Sequence, residues 1–235
     1  MNCMHSYRVL AALLFLGVAW GQDDPAIQQD KRAFGVLPNH RTAESSTPFH
    51  RISAKEKLTI AALDSFDWPV YPTSAVFAAF YQLADVNHEF GQGMAGYGKR
   101  LGTSYADQLS GNMMTEGFVP ALTHEDPRYF RMATGPIKSR LWYCVTRTFV
   151  TKTDGGHRTF NVSEWGGASA SVALSNLYYT DTRTAHDNAT KLVIQVGSDT
   201  VGNLLKEFWP DVKRKLKKHP STSAAPAHTA SVLHD

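Results

Sequence analysis

The chain has 235 residues, with 24 Lys and Arg against 21 Asp and Glu, a formal charge of +3 and a hydrophobic fraction of 43%. That length suits one domain with a sizeable core, and two cysteines exclude a disulfide framework. Without Lys213, Arg214, Lys215, Lys217 and Lys218 the balance turns negative, so the basicity belongs to one C-terminal run and a nucleic-acid-binding face is excluded.

Residues 1–21 read as a secretory signal peptide. Arg8 supplies the positive start, Val9 to Trp20 the apolar run, and Ala19-Trp20-Gly21 a small-x-small cleavage pattern. The apolar run is short for a membrane span. Export to the periplasm or outer envelope is therefore expected, and Cys144 is left as a buried apolar residue. Residues 22–52, rich in polar residues and prolines, form an extended arm or linker. A helical domain is expected over 53–216 and a disordered low-complexity tail over 217–235.

Ser53-Ala54-Lys55-Glu56 is a capping-box pattern, which predicts a helix to about Asp64. Pro69 and Pro72 break the chain, and Ser74 opens a second helix through AVFAAFYQLADVN. A third helix runs from about 95 to 120. On its wheel Gly98, Gly102, Ala106 and Ser110 share a sector beside Leu101, Tyr105 and Leu109, while Arg100, Ser104 and Asp107 lie opposite, toward water. Glycine in a helix costs about 1 kcal/mol relative to alanine. The spacing is explained when a second helix packs on those small residues, backbone against backbone. SRLWYCVTRTFV has β-branched residues and a following Asp154-Gly155-Gly156, so it reads as helix or hairpin strand. Its length and flanks favour a helix at 138–150, with a small hairpin near 151–161. Asn161-Val-Ser-Glu164 starts another helix, which repeats the small-residue device with Ser163, Gly167, Ser171 and Ser175. A last helix covers about 186–208. The fold class is mainly α, a compact bundle of about five helices with small-residue contacts.

Glu116 falls in the packed sector of the third helix, where a buried carboxylate needs a partner; Arg128, Arg140 and Arg147 are the candidates. His124, Glu125, Asp126 and Arg128 form the densest polar cluster. With Glu116 they are the candidate acid, base or metal-binding residues, and His88 with His124 and Asp126 is the candidate ligand set. Three consecutive residues cannot all face one ion on a regular helix. The chain has no HExxH, CxxC, GxSxG or GxxxxGK[ST]. Gly91-Gln-Gly-Met-Ala-Gly96 matches GxGxxG, but no strand precedes it. No cofactor is expected.

The segments GYGKRLGTSYADQLSGNMMTEGFVPALTHEDPRYF, TFNVSEWGGASASVALSNLYY and LKEFWPDV resemble a family of exported bacterial proteins, over about residues 34–212. HEDPRYF and NLLKEFWPD are the most specific blocks. The resemblance implies export and a single domain, and it carries over no catalytic residue. The expected function is that of a non-enzymatic envelope protein, with a membrane surface or another envelope protein as partner. The alternative is a periplasmic hydrolase or metal-assisted enzyme centred on Glu116 and His124-Glu125-Asp126. A third reading has the Lys213–Lys218 run bind a polyanion.

Overall fold

A computed structural model describes residues 32–33, 37–38, 41–44 and 48–217. The chain divides into two units, Met1–Asp30 and Lys31–Asp235; the first lies outside the described residues, as do the expected signal peptide and the tail beyond 217. The described part is mainly α. Its helices are α1 (Ala54–Ser65), α2 (Val70–Leu83), α3 (Gly93–Asn112), α4 (Val119–Thr123), α5 (Ile137–Phe149), α6 (Val162–Ser175) and α7 (Ala185–Lys217). A π-helical turn, Met113–Phe118, joins α3 to α4 in one continuous rod, so six helical rods stand where about five were expected.

The strands are short. β1 (Arg32–Ala33) pairs antiparallel with β2 (Leu37–Pro38). β3 (Thr42–Glu44) runs parallel to β5 (Tyr129–Arg131), with Ala43 opposite Phe130. β4 (Glu125–Asp126) pairs antiparallel with β6 (Val150–Thr153), which forms the expected hairpin with β7 (Arg158–Phe160). The arm is thus more than a linker, since residues 41–44 join the fold.

Local chemistry accounts for most boundaries. Ser53 Oγ accepts from the Glu56 amide at 3.3 Å and Glu56 Oε2 accepts from the Ser53 amide at 2.6 Å, a closed capping box. α2 begins at Val70, ahead of the expected Ser74, because Pro72 sits in the first turn, where no amide is needed for the helix ladder. Segment 138–150 is indeed helical, one residue earlier than expected. The last helix continues through Pro210 to Lys217, past its expected end near 208.

The wheel of α3 is inverted from expectation. Gly98 and Gly102 are exposed, and a Cβ built on either meets nothing within 4 Å. The buried face is Gly96, Arg100, Ser104 and Gly111. Arg100 was expected in water, yet it is fully buried. It donates to the carbonyls of Val86 (2.9 Å), Asn87 (3.1 Å) and Gly91 (2.6 Å) and to Gln82 Oε1 (2.7 Å). Asp107 accepts from the hydroxyls of Tyr178 (2.5 Å) and Tyr179 (2.7 Å). Burial goes to whichever face finds hydrogen-bond partners, and here the polar face finds them.

The small-residue contact does exist on α6. Ser163, Gly167, Ser171 and Ser175 are all buried, and the partner is the π turn. A Cβ on Gly167 would lie 2.7 Å from Thr115 Cα and 2.9 Å from the Met114 carbonyl oxygen. Ser110 Oγ and Ser171 Oγ lie 2.8 Å apart beside it. Opposite signs follow for the two kinds of glycine. Gly98→Ala and Gly102→Ala should each raise stability by about 0.5–1 kcal/mol, whereas Gly167→Ala should lower it by about 1–3 kcal/mol. Urea unfolding followed by circular dichroism reads all three; stabilisation by Gly167→Ala would refute the close approach.

Candidate functional site

Ionisable groups from five parts of the chain meet inside the bundle. Asp64 comes from α1, Glu116 from the π turn, Glu164 from α6, Asp199 and Lys206 from α7, and Arg41 from the turn before β3. Arg41, Asp64, Glu116 and Glu164 are buried; Asp199 and Lys206 are half-buried. Arg41 Nη1 lies 2.5 Å from Glu116 Oε1. The expected arginine partner of Glu116 was Arg128, Arg140 or Arg147; the actual one is Arg41, whose turn is tied down when its carbonyl accepts from the Tyr129 amide at 2.7 Å.

Burial raises Glu116 to about 7, with Asp64 adding to the rise and Arg41 opposing it. Burial likewise raises Asp64, Asp199 and, most of all, Glu164, which Asp199 pushes further up. Lys206 is lowered by burial and by Arg41. Arg41 is raised: burial works against its charge, and Glu116 leads the carboxylates that outweigh it. Among the described residues Arg41 Nε makes no hydrogen bond, while the Asp64 and Glu116 carboxyls, like those of Glu164 and Asp199, face each other as pairs that hydrogen-bond once one member is protonated. A centre of this kind holds protons near neutrality and leaves polar atoms turned inward.

The other candidate residues lie elsewhere, each with its own partner. Glu125 accepts from the amides of Val162 (3.2 Å) and Ser163 (2.7 Å) and from Ser163 Oγ (2.5 Å), which caps α6. Asp126 holds Arg128 through its Nε (2.9 Å) and Nη2 (2.6 Å). His124 sits at φ 56°, exposed, with Nδ1 3.6 Å from Asp154 Oδ2. Asp154 itself accepts from buried Lys57 at 2.6 Å. His88 pairs with Asp85 at 2.7 Å on the far surface loop. The cluster of consecutive residues is thus dispersed over a helix cap, an arginine clamp and an exposed turn. Among the described residues no three His, Cys, Asp or Glu converge to hold a metal ion.

A second buried centre was missed by the sequence reading. Glu207, on α7, accepts from Tyr129 Oη (3.0 Å), the amides of Met132 (3.0 Å) and Ala133 (2.9 Å), and Arg140 Nε (2.8 Å). Arg140 also reaches Asp211 at 2.5 Å. Cys144, buried as expected, lies 3.2 Å from Tyr129 Oη. The sequence's signal for it was the place of Glu207 and Tyr129 in the segments NLLKEFWPD and HEDPRYF.

Two cavities border the first centre. One, of about 100 Å³, is lined by Ser104, Asp107, Ser171, Ser175, Lys191 and Asp199 among others. The second, of about 30 Å³, reaches Arg41 and Glu164 from the other side.

The outer surface is the converse of this interior. Leu83 is 87% exposed, Leu122 79% and Leu177 78%, while Arg100 and Glu207 are 0% and Lys57 1% exposed. Val76, Phe80 and Leu83 make an outward stripe on α2, and Ile137, Leu141, Trp142, Val145 and Phe149 another on α5. Among the described residues no helix is long and apolar enough to cross a membrane. No family model matches the chain, and neither a curated protein nor a solved structure matches it.

Proposed function

We propose that this chain is an exported cell-envelope protein without enzymatic chemistry, an interaction domain that seats its outer faces against lipid. One observation carries the reading: polarity is reversed, with charged side chains inside and large apolar ones outside. Soluble monomers rarely expose wide apolar area. A protein partner would cover one patch, of some 20–30 residues. Here exposed apolar side chains occur on α1 (Leu63), α2 (Phe80), α4 (Leu122), α5 (Trp142), α6 (Leu174) and α7 (Val201), a spread that hydrocarbon wets and a single partner does not. Arg214 and Lys215 near the end of α7 add attraction to anionic headgroups.

Flotation with phosphatidylglycerol-containing vesicles tests this. The full chain should float with the lipid. The triple change Phe80→Ser, Leu83→Ser, Trp142→Ser should weaken partition by about tenfold or more, from roughly 1.5–3 kcal/mol per buried side chain. A monomer that stays below the lipid overturns the reading, and a soluble oligomer transfers the apolar faces to self-association.

A further inference from the structure

The smaller cavity has a lining unlike the rest of the interior. Arg41, Arg128, Arg147 and Lys152 contribute four cationic side chains, against the single carboxyl of Glu164. They converge from the arm, the β4–β5 turn, α5 and β6. Two of these charges already have an answer: Glu116 holds Arg41 through Nη1, and Asp126 holds Arg128. Among the described residues Arg147 and Lys152 have no carboxylate at ion-pair distance. Arg147 stacks over the Tyr143 ring at 4.8 Å, and Lys152 Nζ lies 3.7 Å from the Phe130 ring centre. Both are held in place by aromatic faces, which orient a cation without neutralising it.

The donors are also unspent. Arg41 is 6% exposed and its Nε makes no hydrogen bond; the buried Nε of Arg147 makes none either. Asn203, 6% exposed and lining the same cavity, leaves its Oδ1 acceptor unused. Orphaned guanidinium N–H groups that are buried cost free energy until an acceptor fills them. A volume of about 30 Å³ suits an ion of a few heavy atoms better than a sugar or nucleotide.

We propose that this cavity binds one small tetrahedral oxyanion, with hydrogen phosphate as the best fit. Its oxygens accept from Arg41 Nε, Arg147 Nε and Lys152 Nζ, the planar guanidinium forks being suited to phosphate geometry. Its P–OH donates to Asn203 Oδ1, a contact that sulfate cannot make. Burial raises Glu164 well above the usual carboxylate range, which weakens its repulsion of a bound anion. The site is built entirely of this chain's interior and stands whether or not the outer faces meet lipid.

Isothermal titration of the full chain with inorganic phosphate, at fixed ionic strength set with sodium chloride, tests the proposal. Saturable binding of one phosphate per chain is expected. Arg147→Gln and Lys152→Gln should each weaken it by about tenfold or more, from the loss of a charged hydrogen bond. Lys138→Gln, on the exposed start of α5, should leave it unchanged. Circular dichroism and thermal melts of the same samples separate lost binding from lost folding, and Arg147→Lys should recover part of the affinity if the charge is what matters. Sulfate should bind more weakly than phosphate; equal binding would overturn the role of Asn203. Competition by phosphatidic-acid vesicles, and not by phosphatidylcholine vesicles, would assign the oxyanion to a headgroup in place of the free ion. Absence of saturable phosphate binding by the folded chain, or equal binding in Arg147→Gln, overturns the site.

Discussion

Glu207→Ala should destabilise the chain by about 3–5 kcal/mol, the cost of leaving a buried ion-pair partner alone. The Glu207 carboxylate is fully buried and gathers donors from three separate places: the side chain and following backbone of β5, and Arg140 on α5. Its loss leaves the Arg140 guanidinium, whose side chain is 7% exposed, with Asp211 as its one remaining carboxylate beside the backbone carbonyl of residue 207. Because whole domains are stable by only about 5–15 kcal/mol, this change approaches the full margin. Glu207→Gln should also be costly: an amide brings two donors into a place where four donors already converge. Asp211→Asn is the control. That carboxylate is 26% exposed, and its loss should cost about 1 kcal/mol or less. Urea unfolding measures all three, and a cost for Glu207→Ala no greater than for Asp211→Asn would refute the hub.

Acidification from about pH 8 to pH 5 should stabilise this protein, against the usual behaviour of buried carboxylates held by cations. The sign follows from the direction of the shifts. Glu116 rises from 4.5 to about 7 on folding, so the folded state binds this proton more tightly than the unfolded chain. Its contribution is fully present below pH 4.5 and lost as the pH rises through about 7. Asp64, Glu164 and Asp199 shift the same way, each lifted first by burial. Glu56 and Asp211 are held below 4.5 and 3.8, so their contributions are lost only at lower pH. Lys206, lowered first by burial, works in the opposite sense, disfavouring the folded state as the pH falls from 10.5 through its depressed value. The gain should be on the order of 2 kcal/mol across the window. Thermal melts from pH 8 to pH 5 should move upward, and Glu116→Gln should flatten the trend. A flat or falling profile in the wild type would mean that Arg41 holds Glu116 ionised throughout.

Much of the helical framework was readable. The Ser53–Glu56 box, the hairpin turn at Asp154-Gly155-Gly156 and the Asn161 start of α6 are local signals, each satisfied within a few residues, so no distant part of the chain could alter them. The candidate site was half readable. Glu116 was identified as a buried carboxylate in need of an arginine, but the partner was sought in the helical body and lay in the arm, 75 residues away. His124, Glu125 and Asp126 were grouped because they are consecutive, and a turn with one left-handed residue sends them to three different neighbours.

By itself, then, the sequence determined that the chain is mainly α and where the capped helices α1 and α6 start, because capping and turn chemistry act over three or four residues. The sequence marked the inward face of α6, but only the tertiary structure decided which face of α3 goes inside. A wheel assigns the apolar and small side to the core, but Arg100 and Glu207 are buried because carbonyls and amides from other elements meet them there, and Glu116 because the Arg41 guanidinium does. Burial of a polar group depends on its partners, and those partners are brought together by folding alone.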